Sequence, residues 1–337
     1  MTLKQFREIL LPEIEDGLRR AVDLTDEEGQ EELYRMLNHH MGWSDEISNQ
    51  SNAGKRIRPL LLLITTSSLG ANWSNALNAA VSIELLHNFS LIHDDIQDRS
   101  ELRRGRPTIW SIWGIPQAIN TGDALFALAQ LKMLELKHTI GNKLALKASK
   151  ILLEASYRLT KGQHLDIAYE DRAIMTIKTY WKMIGYKTAE LIAAATEIGA
   201  VCGKASGKRE KLYREFGYNL GMAFQIKDDY LGIWGDQVST GKSVRSDLLA
   251  GKKSLPIIYG LEKGGKFAKK WEQGGIESED LPGLVQELEN DGAKEYTLFQ
   301  ARKYTNLASE ALNSAKPEKD AGSALKELTV ELLERDR

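Results

Sequence analysis

Apolar residues recur along most of this chain at intervals of three and four, and that spacing predicts helices. Between positions 76 and 98, Leu77, Ala80, Val81, Leu85, Phe89 and Ile92 fall close to the repeat that stacks side chains on one helical face. Segments 143–165, 176–201, 208–234, 283–312 and 321–335 carry the same pattern. The sequence has neither the alternation of helix and strand patterns nor a Gly-rich phosphate turn after a strand. The expectation is an all-α fold of roughly ten or more helices. Breaks are expected where Gly, Asn, Ser and charge gather, at 41–54, 99–116, 203–208, 235–254 and 264–283. None of these reads as a long linker. Because the candidate chemistry is spread from Lys55 to Lys253, one domain over 1–337 is the economical expectation.

Composition narrows the class without fixing it. Of 337 residues, 42% are hydrophobic, enough for a large core, and 27% are charged. The net charge of −2 argues against nucleic acid as a partner. Cys202 is the only cysteine, which excludes an intrachain disulfide and fits a reducing, cytoplasmic setting. The N-terminus lacks the apolar stretch of a signal peptide. No apolar run approaches the ~18 residues that a transmembrane segment needs.

Two acidic motifs change the picture. Asp94-Asp95-Ile96-Gln97-Asp98 follows the apolar Ser90-Leu91-Ile92, and Asp228-Asp229-Tyr230-Leu231-Gly232 follows Phe224-Gln225-Ile226-Lys227. On a helix Asp94 and Asp98 share a face, with Asp95 about 100° round. Glu84, His87 and Leu91 continue that face in steps of three and four, giving a mostly polar stripe suited to lining a cavity. Carboxylates in apolar surroundings need a compensating cation. Hard divalent cations take oxygen ligands, and Mg²⁺ combines a few carboxylates with the phosphate oxygens of a substrate. A single such motif would also fit an acidic helix end facing water. Two in similar apolar contexts point to a Mg²⁺-dependent enzyme acting on a phosphate or diphosphate ester, with the motifs opposed across a cavity.

Basic segments supply the charge such a substrate needs. Gly54-Lys55-Arg56-Ile57-Arg58-Pro59 opens a helix, where backbone N–H groups already favour anions. Arg103-Arg104-Gly105-Arg106-Pro107-Thr108 follows the first acidic motif, and guanidinium forks suit phosphate. Taken singly, each would read as a solvated basic turn.

The strings GKRIRP, ELLHNFSLIHDDIQD, RRGRPT, YKTAEL, FQIKDDYLG and the GK…D…GKKSLP region, in this order over nearly all of the chain, resemble the trans-isoprenyl diphosphate synthases. That family includes farnesyl and geranylgeranyl diphosphate synthases. The resemblance implies an antiparallel helical bundle around a deep apolar cavity, usually a homodimer. It also implies Mg²⁺-dependent head-to-tail condensation of isopentenyl diphosphate with dimethylallyl, geranyl or farnesyl diphosphate. Asp94, Asp98 and Asp228 match the family's main ligands for three Mg²⁺ ions, with Asp95 and Asp229 supporting. Arg103, Lys187 and Lys242 match groups on the allylic diphosphate, joined by Lys252. Lys55, Arg58, His87 and Arg104 match the metal-free site for isopentenyl diphosphate. Thr188 and Gln225 match residues whose oxygens face the developing cation. Gly235, Gly241 and Gly251 would let the intervening loop close over the site.

Bland readings stand beside these. His87 also fits a core imidazole bonded to a carbonyl, although it lies two turns before Asp94 on the same face. Lys187-Thr188 also fits a snorkelling lysine and a back-bonded threonine. One departure from the family pattern is Gly232, which stands where the second motif would carry its third aspartate.

Product length should follow from the residues flooring the cavity beneath Asp94. Phe89 lies about 7.5 Å earlier along the helix axis but about 140° round, so helical geometry alone does not put both on one channel. An aromatic at this position, a small neighbour (Ser90) and an uninterrupted first motif resemble geranylgeranyl-forming members, which implies a C20 product with C15 as the alternative. A class I terpene cyclase would share the first motif but replace the second Asp pair. A non-catalytic partner subunit would lose site residues that this chain keeps.

Overall fold

The computed structural model describes residues 1–23, 28–43, 54–170, 175–235 and 246–333. The fold is all-α, apart from one two-stranded ribbon among the described residues. The chain divides into two compact units.

The first unit comprises Met1–Ser156, Ala194–Lys211 and Lys316–Leu325. Its framework is α1 (Leu3–Asp23), α2 (Glu31–Met41), α3 (Ile57–Ser67), α4 (Leu77–Gln97), α5 (Ile109–Trp113) and α6 (Ile115–Leu134). Helix α1 buries Phe6, Leu10, Ile14 and Leu18, one residue per turn, so a single stripe holds it to the core. Helix α3 buries Leu60, Leu61, Leu62, Leu63 and Ile64 in succession, so it has no solvent face over that stretch. Helix α4 buries every residue from Ala79 to Leu86, Glu84 included. It packs on α1, α3 and, over the longest stretch, α6. Gly122 on α6 is the reason the last pair can approach: a Cβ there would lie 2.3 Å from Nε2 of His93.

Beyond α4 the chain makes the ribbon, Leu102–Arg103 against Arg106–Pro107. Its two connecting residues, Arg104 and Gly105, have φ of 53° and 76°. Positive φ at both central positions is the type I′ requirement that matches strand twist.

The second unit comprises Tyr157–Ala193, Leu212–Ala315 and Lys326–Arg337. Helix α7 (Asn142–Glu170) continues into it and is followed by α8 (Ile177–Ile184), a π-helical turn (Gly185–Ala189) and the start of α9 (Glu190–Cys202), which belongs to the first unit from Ala194 on. Then come α10 (Gly207–Trp234), the one-turn helix Ser246–Leu249, α11 (Leu255–Lys263), α12 (Lys266–Gln273), α13 (Leu281–Asn290), α14 (Ala293–Ala315) and α15 (Lys319–Leu333). One core gathers Tyr180, Met183, Ile184, Met222, Ile226, Leu255 and Ile258. A second gathers Ile233, Leu248, Ile257, Phe267, Leu284 and Leu288.

Three local expectations change. The periodic stretch 176–201 is two helices joined by a π turn, because one extra residue in a turn leaves apolar periodicity almost intact on either side. The break expected at 264–283 contains α12, which is short but buries Phe267 and Ala268. The stretch 283–312 divides at Asp291-Gly292, where Gly292 has φ of 80°. No described helix is long and apolar enough to cross a membrane.

Candidate active site

In the first unit the acidic motif closes α4. Asp94 is half-buried, Asp95 is buried and Asp98, the C-cap, is exposed. Asp95 is committed to Arg103: Arg103 Nε donates to its Oδ1 at 2.8 Å, and Nη2 lies 2.7 Å from the same oxygen. Burial raises the Asp95 pKa above the usual carboxylate range in spite of that guanidinium. The ribbon carrying Arg103 and Arg104 is tied to α2. His39 Nε2 donates to the Pro107 carbonyl at 2.8 Å, which leaves Nδ1 as the acceptor for Arg106 Nη2 at 3.3 Å.

The two basic segments meet here. Gly54, at φ 85°, lies against the Arg104 guanidinium, and a Cβ at that position would fall 2.6 Å from Nη1. Arg56 turns through the left-handed region at φ 45°. Its buried guanidinium donates to Glu15 at 2.6 Å and to Glu84 at 3.0 Å. That buried ion pair fixes the turn between Lys55, which is exposed, and Arg58, which is half-buried. Arg58 Nε is buried with no hydrogen-bond partner. Burial lowers the pKa of Arg58, and Arg104 lowers it further; burial likewise lowers that of Arg104, with Arg56 and Arg103 adding to it. His87 sits among Arg58, Arg104, Arg103 and Arg56; burial first, and then those four charges, hold its pKa far below normal. His40 on α2 is treated the same way, brought down to about 3 by burial and by Arg103 and Arg104. His39, His40, Leu91, Asp95, Arg103 and Arg104 line a small cavity in this unit. Two neutral imidazoles in a crowd of guanidinium groups make a setting that a polyanion would relieve.

Phe89 and Ser90 sit on the same helix. The Phe89 ring meets Phe126 of α6 with centroids 5.2 Å apart, and His93 at 4.8 Å. Ser90 is buried, its hydroxyl donating to the His87 carbonyl at 2.7 Å.

In the second unit the π turn carries Lys187 and Thr188. A π bulge widens one helical turn and re-aims its side chains. Two glycines admit it: a Cβ on Gly162 would lie 2.3 Å from Lys187 N, and one on Gly221 would lie 2.6 Å from Ala189 Cα. Lys187 Nζ is paired with Asp166 of α7. Asp229 accepts from Tyr180 Oη at 2.7 Å, from the Leu255 backbone N–H at 2.8 Å and from Gln225 Nε2 at 2.9 Å. Fixing the Gln225 amino group on Asp229 turns its carbonyl to Thr188, whose hydroxyl donates to it at 2.8 Å. The Thr188 proton is thereby used, and what its oxygen has left to offer is lone pairs. Burial raises the Asp229 pKa, opposing Lys252 and these donors. For Lys252 burial works against the charge, yet Asp229, Asp247 and Asp228 outweigh it and raise the pKa.

Asp228 is half-buried beside this network. Lys242 and Gly241 lie outside the described residues. Gly235 closes α10 beyond Trp234, and Gly251, at φ 64°, follows the one-turn helix. Residues that sequence reading overlooked are His40, Asp166 and Tyr180, while Asp247 fell within the GK…D…GKKSLP string without a role. Each becomes visible through a partner distant in sequence rather than through a local motif.

The donor set suits Mg²⁺: carboxylate oxygens, with no thiolate, and imidazoles held among cations. Among the described residues no three acidic or imidazole groups form a ready cage.

Comparison with known proteins identifies the lineage. The Polyprenyl synthetase family model matches residues 43–286. The chain is 42% identical over 286 residues to the geranylfarnesyl diphosphate synthase of Aeropyrum pernix, covering 83% of this chain and 89% of that protein. It is 38% identical over 280 residues to the (2E,6E)-farnesyl diphosphate synthase of Mycobacterium tuberculosis, covering 80% and 77%. The crystal structure of geranylgeranyl pyrophosphate synthetase from Pyrococcus horikoshii superposes with a TM-score of 0.89 at 29% identity, covering 98% of each chain. With the family's pattern running from residue 43 to 286 and a shared fold throughout, the chain belongs to the polyprenyl synthetases.

Proposed function

We propose that the chain is a trans-prenyltransferase that condenses isopentenyl diphosphate head-to-tail (1'-4) with an allylic diphosphate and releases diphosphate. The observation that carries this reading is the crowd of half-buried Arg58, His87 and His40 beside the exposed Arg104, whose protonated forms are disfavoured by desolvation and by neighbouring guanidinium groups. An acidic substrate relieves that repulsion, and Lys55, Arg58, His87 and Arg104 are assigned to the diphosphate of isopentenyl diphosphate. Mg²⁺, three ions by family analogy, would be held by Asp94, Asp98 and Asp228 with Asp95 and Asp229 in support, and would supply Lewis-acid stabilisation of the leaving diphosphate.

The chain's own groups do the rest. Arg103, Lys187, Lys242 and Lys252 hold the allylic diphosphate, so negative charge developing on it as the C–O bond breaks meets fixed cations. Thr188 and Gln225 turn oxygen toward the allylic cation, and the Asp229 chain sets their polarity. The isopentenyl double bond attacks that cation, a new C–C bond forms, and a proton is lost to the departing diphosphate. Exclusion of water protects the cation from capture as an alcohol.

Residues 1–337 act as one catalytic domain in this reading. Exposed apolar residues on α6 (Ile115, Ile119, Leu131, Leu134) and α7 (Leu146, Leu153) support pairing of two copies. Phe89 with Ser90 favours a C20 product, geranylgeranyl diphosphate; the proteins named above are named for C15, C20 and C25 products, and C15 is the alternative. The purified protein, supplied with isopentenyl diphosphate and C5, C10 or C15 allylic diphosphates, should yield linear products that chromatography sizes by chain length. Cyclisation of one allylic substrate would indicate a class I cyclase instead, and inertness a non-catalytic subunit.

A further inference from the structure

The π turn is closed and anchored by the same residue. Glu190 follows Gly185–Ala189, and its backbone N–H donates to the Gly185 carbonyl, five residues back. That bond is the one that makes the turn wide. The Glu190 side chain is buried. Its Oε2 accepts from Arg158 Nη1 of α7 at 3.0 Å and from Arg214 Nη2 of α10 at 2.7 Å. The same two helices carry the glycines that lie against the turn. Gly162, one turn after Arg158, faces Lys187 N, and Gly221, two turns after Arg214, faces Ala189 Cα. A π turn holds one residue more than an α turn, and nothing in the main chain alone fixes where that residue sits. Were the Glu190 N–H to move to the Tyr186 carbonyl, its ordinary α-helical acceptor, the segments on either side would rotate by about 100° relative to each other. The carboxylate cannot follow such a rotation and keep both guanidinium groups, because they stand on different helices.

We infer that Glu190 is a positioning residue: gripped by Arg158 and Arg214, it fixes the register of the π turn and thereby selects Lys187 and Thr188, rather than their neighbours, to face the substrate. The inference rests on the functional reading given above, in which Lys187 holds the allylic diphosphate and Thr188 turns its oxygen to the cation. Stability is a weak reason for such a triad, since a buried Arg–Glu–Arg cluster exchanged for apolar residues of similar volume is often neutral or stabilising. What the charges add is a single permitted arrangement of three helices around the turn.

Two experiments test this. The triple variant Arg158→Met, Glu190→Leu, Arg214→Met removes the charges and keeps most of the volume. It should melt no lower than the unaltered protein, while kcat falls about 10- to 100-fold, the cost of a small misplacement of groups that touch substrate. KM for the allylic diphosphate should rise, because Lys187 moves, and KM for isopentenyl diphosphate should change by less than about twofold. A kcat within about twofold of the unaltered protein would overturn the inference, and so would equal rises in the two KM values. The second experiment is a double-mutant cycle between Glu190→Gln and Thr188→Val. Glu190→Gln should lower kcat about tenfold where Thr188 is present, and no more than about threefold once that oxygen is gone, the remainder falling on Lys187. Equal losses in the two backgrounds would show that Glu190 supports the fold without aiming the turn, and would overturn the inference. If the triple variant does not fold, the cycle decides alone, with Arg214→Gln in place of Glu190→Gln if that variant also fails. An unaltered protein that joins isopentenyl diphosphate to none of the C5, C10 and C15 allylic diphosphates would sink the functional reading itself. An active protein indifferent to both experiments sinks only the inference about Glu190.

Discussion

The ring of Phe89 on α4 rests against that of Phe126 on α6, centroids 5.2 Å apart and planes inclined at 57°. Tilted aromatic pairs of this kind hold each other's rotamers. A wall made by Phe89 therefore cannot swing aside without Phe126. Phe89→Ala should shift the product distribution toward longer chains by at least one five-carbon unit. Phe126→Ala should broaden it by freeing the Phe89 ring. Chromatography of dephosphorylated products checks both. An unchanged distribution in Phe89→Ala would remove this residue from the floor of the product channel.

Burial of Arg56 against Glu84 makes a second prediction. Their side chains are 2% and 5% exposed, so Glu84→Gln leaves a buried guanidinium half-compensated. Breaking such a pair costs about 3 kcal/mol, at the low end of the usual range because Glu15 remains as a partner. The melting temperature should fall. Since Arg56 sets the turn between Lys55 and Arg58, KM for isopentenyl diphosphate should rise more than that for the allylic substrate. Equal changes in the two would show that the pair stabilises the fold without positioning the site.

Acid sensitivity follows from the two neutral imidazoles. His40 and His87 have native pKa values below the ordinary 6.5, so the unfolded chain binds more protons than the native one as pH falls below that value. Their contribution to stability is complete above about pH 6.5 and is lost as pH falls toward the native values, at about 1.4 kcal/mol per pH unit for each fully protonating group. Thermal melts between pH 7.5 and 5 should show the loss. His40→Gln should flatten it by about half. Comparing variant with parent cancels the opposite contribution of Asp95 and Asp229, whose pKa values burial raises. Parallel pH curves for the two proteins would contradict the burial of a neutral His40.

Thr188→Val keeps the shape of the π turn and removes the oxygen. Its hydroxyl is oriented by Gln225, which is oriented by Asp229. If that oxygen faces the cation, kcat should fall about 100-fold, as when one preorganised dipole is deleted, with little change in either KM. Restoring the hydroxyl with Thr188→Ser should recover most of the rate. A Val variant with normal kcat would assign Thr188 a packing role only.

How much of this was legible beforehand depends on whether the cause is local. Helices such as α4 and α10 follow from apolar spacing along 76–98 and 208–234, and the acidic and basic strings mark the segments that carry the chemistry. The π turn left no such trace, because apolar residues continue on both sides of Gly185–Ala189. Helix α12 was hidden by Gly264-Gly265 before it and Gly274-Gly275 after it, although Phe267 buries fully. Gly232 read as a departure from the family pattern, and its contact with Asp247 exists only in three dimensions. Asp166 and Tyr180 were invisible for the same reason, their partners Lys187 and Asp229 lying on other elements.

Two glycines whose purpose the sequence did not disclose give the last prediction. Gly162 on α7 and Gly221 on α10 lie against the backbone of the π turn, where an added Cβ would meet Lys187 N at 2.3 Å and Ala189 Cα at 2.6 Å. Both contacts are with main chain, which cannot rotate away as a side-chain tip can. Gly162→Ala therefore has to push the turn outward, and the Lys187–Asp166 pair and the Thr188–Gln225 bond move with it. In an exposed helix the same exchange would stabilise, since Ala has the better helix propensity by about 1 kcal/mol. Here overpacking outweighs that gain, and a net loss of about 1–3 kcal/mol in thermal or denaturant unfolding is expected for each variant, with kcat falling at 25 °C where the protein remains folded. An increase in melting temperature for Gly162→Ala would mean that α7 and the π turn are farther apart than these contacts require, and would remove the reason for a π turn at Lys187.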